Sequence, residues 1–476
     1  VWGMMAVYAG LFAYLSVARH RAFWTGRFDL GNMVQAVWST LQGRPLETTD
    51  IAGRQFVRLG AHVDPILVLF APLYAVWSSP EALLVAQAVI VASGALPAFW
   101  LGRRWLGDDR LALAAAAVYL LYPPLQWAVV TEFHPVTLAA PLLLYCVWAA
   151  EERRYVLLSA LAVLAVLTKE QVGLTLVALG VWMIVRGPGR RYGAALAVLS
   201  LAWVAVAIMV IIPRFNAGQG SAFVGRYGYL GDDGASVLAA LVTRPWDALA
   251  FAADMDRLGY VAALVLPLAL LPLAAPALAA AALPELAVNV LADWPPQYSV
   301  EYHYSAVIAP LLVAASILGL ARLRRLRRPA PLARLMGAPG ALAACWIAVV
   351  LVAGVRLGPL PWWSWVPLGS DVRADQYRPN PRADALSRAV AMIPDGVPVS
   401  AGNHLGARLS ERERVLSFPV IGEARWVVVD RRWPYVGDRL GPEIHRARVR
   451  ALLARPDARV LLDEDGILVV RLGARA

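Results

Sequence analysis

Apolar runs recur from one end of this chain to the other, and many approach or exceed the roughly 20 residues that cross a bilayer as a helix. Of 476 residues, 59% are hydrophobic and only 16% charged, where a soluble domain runs nearer a quarter charged. The chain is therefore expected to be a mainly α, polytopic membrane protein with about eleven transmembrane helices and a small soluble α/β domain at its C-terminus.

Spans are expected at about 2–17, 81–101, 111–130, 136–150, 194–212, 259–273, 278–291, 305–320 and 341–355. The run 155–186 is too long for one span and breaks at Thr168-Lys169-Glu170-Gln171, so two short helices should meet there. The first apolar segment lacks a small-residue cleavage site and reads as a retained helix. Two long polar loops, 19–64 and 213–258, interrupt the series. The first contains an amphipathic stretch with Leu30, Met33, Val34, Val37, Trp38 and Leu41 at helical spacing, suited to lying along a membrane surface. The piece 65–77 is too short to span. Residues 1–357 thus form the membrane part. From 358 to 476 the chain is more charged, and strand-like runs at 397–399, 426–429, 460–462 and 467–470 alternate with helical patterns.

The net charge is +11. Its densest clusters, Arg103-Arg104, Arg153-Arg154, Arg190-Arg191 and Arg322 to Arg328, sit beside apolar segments, which points to cytoplasmic anchors near lipid headgroups and away from nucleic acid. With eleven spans and a cytoplasmic N-terminus, every such cluster falls inside. The loops with Asp29, Glu132, Lys169 and residues 293–304, and the C-terminal domain, then fall outside the plasma membrane. Cys146 and Cys345 both lie in apolar runs, and no disulfide follows from them.

Few residues can carry chemistry. Asp29, between Phe28 and Leu30-Gly31, could act as a general base at the interface or simply cap the amphipathic helix. Lys169 is the only lysine among 44 basic residues, a compact charge suited to a phosphate, or a helix-end partner of Glu170. His62-Val63-Asp64-Pro65 and Glu132-Phe133-His134-Pro135 pair a carboxylate with an imidazole at two-residue spacing. Such pairs can hold a divalent metal, Mg or Mn, or can start the helices after their prolines. Glu285 and Asn289 lie inside an expected span, where polar groups usually line a cavity. Glu301-Tyr302-His303-Tyr304 adds a carboxylate, an imidazole and two phenols. All six histidines, His20, His62, His134, His303, His404 and His445, fall on the expected outer side.

Phe28-Asp29-Leu30-Gly31, His62-Val63-Asp64-Pro65-Ile66, Glu132-Phe133-His134-Pro135, Lys169-Glu170 and Tyr302-His303-Tyr304, in this order, resemble an uncharacterised family of predicted bacterial membrane proteins. That family is similar to the GT-C superfamily of integral-membrane glycosyltransferases. The resemblance implies transfer of a sugar from a polyprenyl-phosphate carrier to an acceptor hydroxyl on a glycan, lipid or protein, at the outer face of the membrane. It implies Asp29 as the catalytic acid of the first outer loop, with Lys169, Arg58 and His303 holding the donor phosphate. His62, Asp64, Glu132, His134, Glu170, Glu285, Asn289, Glu301, Tyr302 and Tyr304 would shape the substrate site. No cofactor is certain, and a metal would draw on His62, Asp64, Glu132 and His134. Where GT-C proteins often pair two acids, this chain has Leu30 after Asp29. A transporter or flippase of a lipid-linked or anionic solute is the alternative, because broken helices and an intramembrane Lys–Glu pair suit it too. A scaffold whose C-terminal domain recruits a partner is the third. No inverted repeat relates the two halves.

Overall fold

The computed structural model describes residues 1–187, 189–326, 336–378, 381–432 and 441–473; Arg327 and Arg328 of the basic cluster lie outside them. Three of the described helices are long and apolar enough to cross a membrane by length and composition, Pro80–Leu106, Arg190–Phe215 and Pro339–Leu357. A fourth crossing results if Asp109–Leu121 and Pro123–Val130, bent by 44° at Tyr122, count as one. The bend follows from Pro123 and Pro124, which start the second piece and cannot donate to the first. Trp2–Arg21, Ile308–Arg325 and shorter apolar helices, among them Pro135–Glu151, Tyr155–Val166, Val172–Arg186 and Pro276–Val290, complete the helical part. The expected break at Thr168–Gln171 is present between two of these.

Several expected spans therefore appear as shorter or bent pieces. Helices that pack on one another can stop short, because neighbours supply the partners that lipid lacks. The stretch 259–273 shows this: its helix ends at Val265, and Ala269 and Leu270 take left-handed backbone angles before the chain resumes at Leu271. By contrast, Arg190–Phe215 buries only 22% of its most apolar stretch, leaving Val198, Leu199 and Met209 on the surface. So much apolar surface suits lipid and not water.

The polar groups sort to two ends of the bundle. At one end Arg104 pairs with Glu151 and Glu152, Arg186 reaches the same buried Glu151 at 2.6 Å, and Arg324 donates to Leu106 O. The other end carries the Asp29 turn, the start of Pro135–Glu151, the Lys169 break and the C-terminal sheet. The amphipathic helix Asn32–Leu41 lies there, its apolar face buried against Ile66, Leu67, Phe70 and Phe133.

The C-terminal region builds a five-stranded sheet in the order β4-β3-β5-β7-β6, with a two-stranded β1-β2 hairpin (Glu47–Thr49, Gln55–Val57) earlier in the chain. Strands β3 (Val399–Ala401), β4 (Val415–Ser417) and β5 (Trp426–Asp430) run parallel; β6 (Ala458–Glu464) and β7 (Ile467–Leu472) are antiparallel. Strand β4 has no counterpart among the sequence-based strands. It is three residues long and gives too short an alternation to stand out.

Candidate active site

Residues Arg27–Gly31 form a single π-helical turn, closed by the Gly31 N–H donating to Gly26 O at 3.0 Å. The first N–H groups of any helical turn lack internal partners. Here Glu132 accepts from Gly26 N at 3.0 Å and from Leu30 N at 2.8 Å, while Asn403 Oδ1 accepts from Phe28 N at 3.0 Å. Side chains from two distant parts of the chain thus cap the turn, and Asp29 does not. The helix Asn32–Leu41 follows directly from Gly31 with no side-chain cap, so the capping reading of Asp29 is overturned.

The Asp29 carboxylate turns instead toward His134, whose Nε2 lies 3.3 Å from Asp29 Oδ1. The Asp29 side chain is 52% accessible, while His134 is 6% accessible. The His134 ring stacks on His303 at 3.6 Å between centroids, and the Tyr304 ring lies tilted against His303 at 4.2 Å. Gln87, fully buried in Pro80–Leu106, fixes the turn beneath: it donates to Glu132 O at 2.8 Å and accepts from His134 N at 2.9 Å. Burial pushes the Asp29 carboxyl up, but His134, then Arg58 and Arg226, outweigh it and hold the group below its ordinary value. Burial, and after it the Asp29 charge, pushes Glu132 well above its usual range. Burial and the neighbouring His134 hold His303 well below its ordinary value, so its ring is neutral at neutral pH.

A second cluster adjoins the first. Glu170 accepts from His62 Nδ1 at 3.0 Å and from Val63 N at 2.9 Å, and Phe223 stacks on His62. Burial pushes Glu170 up, but His62 and Lys169 outweigh it and bring it down to about 2. A depressed carboxyl stabilises the fold above its unfolded value near 4.5, and that stabilisation drains away as pH falls toward 2. Glu170→Gln is expected to flatten the loss of thermal stability between about pH 4.5 and 2. Identical acid unfolding profiles for the variant and the parent would remove Glu170 from this role.

Lys169 does not pair with Glu170. Among the described residues no carboxylate approaches within ion-pair distance of its ammonium, which lies 6.0 Å from the Tyr304 ring. Arg226 was not singled out in the sequence, yet it stands at the centre of this region. Its guanidinium faces the rings of Phe223, Trp294 and Tyr304 at 4.9, 5.7 and 5.8 Å and donates to Gln297 Oε1. It acts electrostatically on both Asp29 and Lys169. The only local signal was its place in a loop rich in glycine and aromatic residues.

Several candidates are occupied with one another. Arg58 grips Asp64 in a buried pair, Nε to both oxygens at 3.0 and 2.8 Å, so neither faces a substrate. Glu132 spends its oxygens on backbone N–H groups. Asn289 donates to Tyr260 Oη and Tyr304 O, each at 3.0 Å, and Glu285 accepts from Gln171 at 2.6 Å. Tyr302 is half-buried within electrostatic reach of Asp29. The Glu301 side chain is exposed, and its carbonyl accepts from Thr131. His62, Asp64, Glu132 and His134 do not converge, and no group of three or more possible metal ligands occurs among the described residues. Three histidines, His62, His134 and His303, meet at this end. His20 bonds Thr25, while His404 and His445 lie against Asp430 in the C-terminal sheet.

A helical membrane bundle with a polar centre gathered at one end is the class that this fold and site define. The chain belongs to the family described as predicted membrane protein (DUF2079), whose pattern matches residues 19–439. No curated protein matches the sequence. Among solved structures, ArnT from Cupriavidus metallidurans bound to undecaprenyl phosphate shares the fold with a TM-score of 0.50 at 15% identity, over 99% of this chain and 98% of that one. The Archaeoglobus fulgidus oligosaccharyltransferase, in complex with zinc and sulfate, gives 0.50 at 14% identity, over 90% of this chain and 68% of that one. Both are GT-C glycosyltransferases, and at these identities the likeness is one of fold.

Proposed function

We propose that the protein is a membrane glycosyltransferase that moves a sugar from a polyprenyl-phosphate donor to an acceptor hydroxyl at the outer face of the plasma membrane, where the C-terminal domain also lies. The observation that carries this reading is a half-open Asp29 set against His134, with the Arg226 cation in electrostatic reach of both Asp29 and Lys169. A neighbour in fold was solved with undecaprenyl phosphate, which makes a lipid phosphate the natural donor class.

The acceptor O–H gives its proton to Asp29, and the oxygen attacks the anomeric carbon. The bond from that carbon to the phosphate oxygen breaks, and the lipid phosphate leaves with the electron pair. Lys169 and Arg226 stabilise the developing charge, with neutral His303 as a hydrogen-bond donor. His134 orients the Asp29 carboxylate. Tyr302 and Tyr304 offer ring faces to a sugar. Arg58, Asp64, Glu132 and Asn289 shape the site from behind. The candidate metal ligands do not form a coordination set, so no step is routed through an ion.

The candidate site lies at the end of the bundle that carries the C-terminal sheet, which favours transfer over transport. The test is transfer of labelled sugar from a synthetic polyprenyl-phosphate donor by protein in vesicles, together with mass spectrometry of copurifying lipids. Lys169→Met removes one charge-assisted contact and should raise the donor KM by about 10–100-fold. An unchanged donor KM would take Lys169 out of the phosphate site.

A further inference from the structure

The turn that carries Asp29 is built from two sides. Beneath it lies Glu132, from the membrane part. Above it lies the C-terminal sheet. Asn403, two residues past the end of β3, takes the Phe28 N–H, one residue from Asp29. Arg27 is 1% accessible and carries its charge into the sheet, donating to Val415 O at 2.8 Å and Ser417 Oγ at 2.7 Å on β4, and to Thr49 O at 2.6 Å. A buried guanidinium costs several kcal/mol to desolvate unless its N–H groups are met, and here they are met by oxygens of both parts. Strand β4 is the edge of its sheet, and an edge presents unpaired backbone groups. The first outer loop closes it: Arg27 takes Val415 O and Thr49 Oγ1 takes Val415 N.

There is no slack between the layers. A Cβ on Gly406 would stand 2.8 Å from Arg27 Cβ, and one on Gly31 would stand 2.7 Å from Ser410 Oγ. Real Cβ atoms do not approach so closely, so the sheet and the turn fit only because both positions lack a side chain.

We propose that the C-terminal sheet sets the reactivity of Asp29, with Asn403 and Arg27 as positioning residues that hold its turn against His134. The inference rests on the glycosyl-transfer reading and adds to it a duty for the C-terminal region. A carboxylate misplaced by about 1 Å loses on the order of 100-fold in rate, while a donor bound elsewhere is unaffected.

Asn403→Leu keeps the branching at Cγ and removes the acceptor; Asn403→Asp keeps an acceptor oxygen. In the vesicle assay Asn403→Leu should lower kcat by about 10–100-fold with donor KM within twofold, and Asn403→Asp should recover most of it. Gly406→Ala, a wedge from the sheet side, should lower kcat in the same way and serves if Asn403→Leu fails to fold. Amide exchange over residues 26–31 reads the geometry without reference to turnover: the Phe28 amide should be protected in the parent and fast in Asn403→Leu. Parental kcat and protection in both Asn403→Leu and Gly406→Ala would overturn the proposal. So would a loss of activity carried entirely by KM. If the parent transfers no sugar while Asn403→Leu deprotects residues 26–31, the transferase reading fails and the holding of the turn stands.

Discussion

Asn in place of Asp29 is expected to lower turnover by about 10²–10⁴-fold, the usual contribution of a positioned base, with donor binding intact. The side chain makes no cap and is half open, so its exchange for an amide of the same shape removes charge and basicity and little else. Stability should therefore stay within about 0.5 kcal/mol of the parent, the range of ordinary surface changes. The measurement pairs single-turnover transfer in vesicles with thermal unfolding of the same preparation. Turnover within threefold of the parent would show that another group takes the acceptor proton.

Glu132→Ala is expected to act by the opposite route. Its carboxyl is 4% accessible and receives the Gly26 and Leu30 N–H groups. Truncation leaves both donors buried without partners, at about 1–3 kcal/mol each. It also leaves a cavity beside Phe133 and Leu30, which are fully buried. A loss of roughly 3–5 kcal/mol follows, seen as a fall in unfolding temperature along with lost activity. Glu132→Gln retains one acceptor oxygen but turns an amide NH2 toward a backbone donor, so it should fall between parent and alanine. The order parent, glutamine, alanine in unfolding temperature is the signature. Alanine as stable as the parent would mean that the turn at 27–31 holds itself.

These two carboxylates looked alike in the sequence. Both sit beside aromatic residues and short turns; Asp29 was the expected catalytic acid, and Glu132 a candidate for the substrate site or a metal. Spacing along the chain carries no information about which backbone N–H groups will converge on an oxygen 106 residues away. The same holds for Arg58 and Lys169. The first is tied down by Asp64, six residues on, while the second, the only lysine, keeps its ammonium free of ion pairs among the described residues. Arg226 carried no signal beyond its place in a loop rich in glycine and aromatic residues, and Asn403 carried none. Each matters because of what a remote segment brings to it.

The number of membrane spans is not legible in hydropathy for a related reason. Hydropathy measures whether a segment tolerates lipid, and a helix packed inside the bundle passes that test at any length. The bend at Pro123 has a local cause in its two prolines, but the break at Ala269-Leu270 appears only in the folded chain.

By itself the sequence determined the class: apolar runs that must bury their backbone in helices, basic clusters beside those runs, and a polar set whose order along the chain marks the family. Those properties are additive along the chain and need no partner to be read. The tertiary structure alone decided which polar groups point at open space and which satisfy one another. A buried donor or acceptor must be met, and whether it is met depends on residues hundreds of positions away. Asp29 is left facing outward because Glu132 and Asn403 have already taken the work of holding its turn.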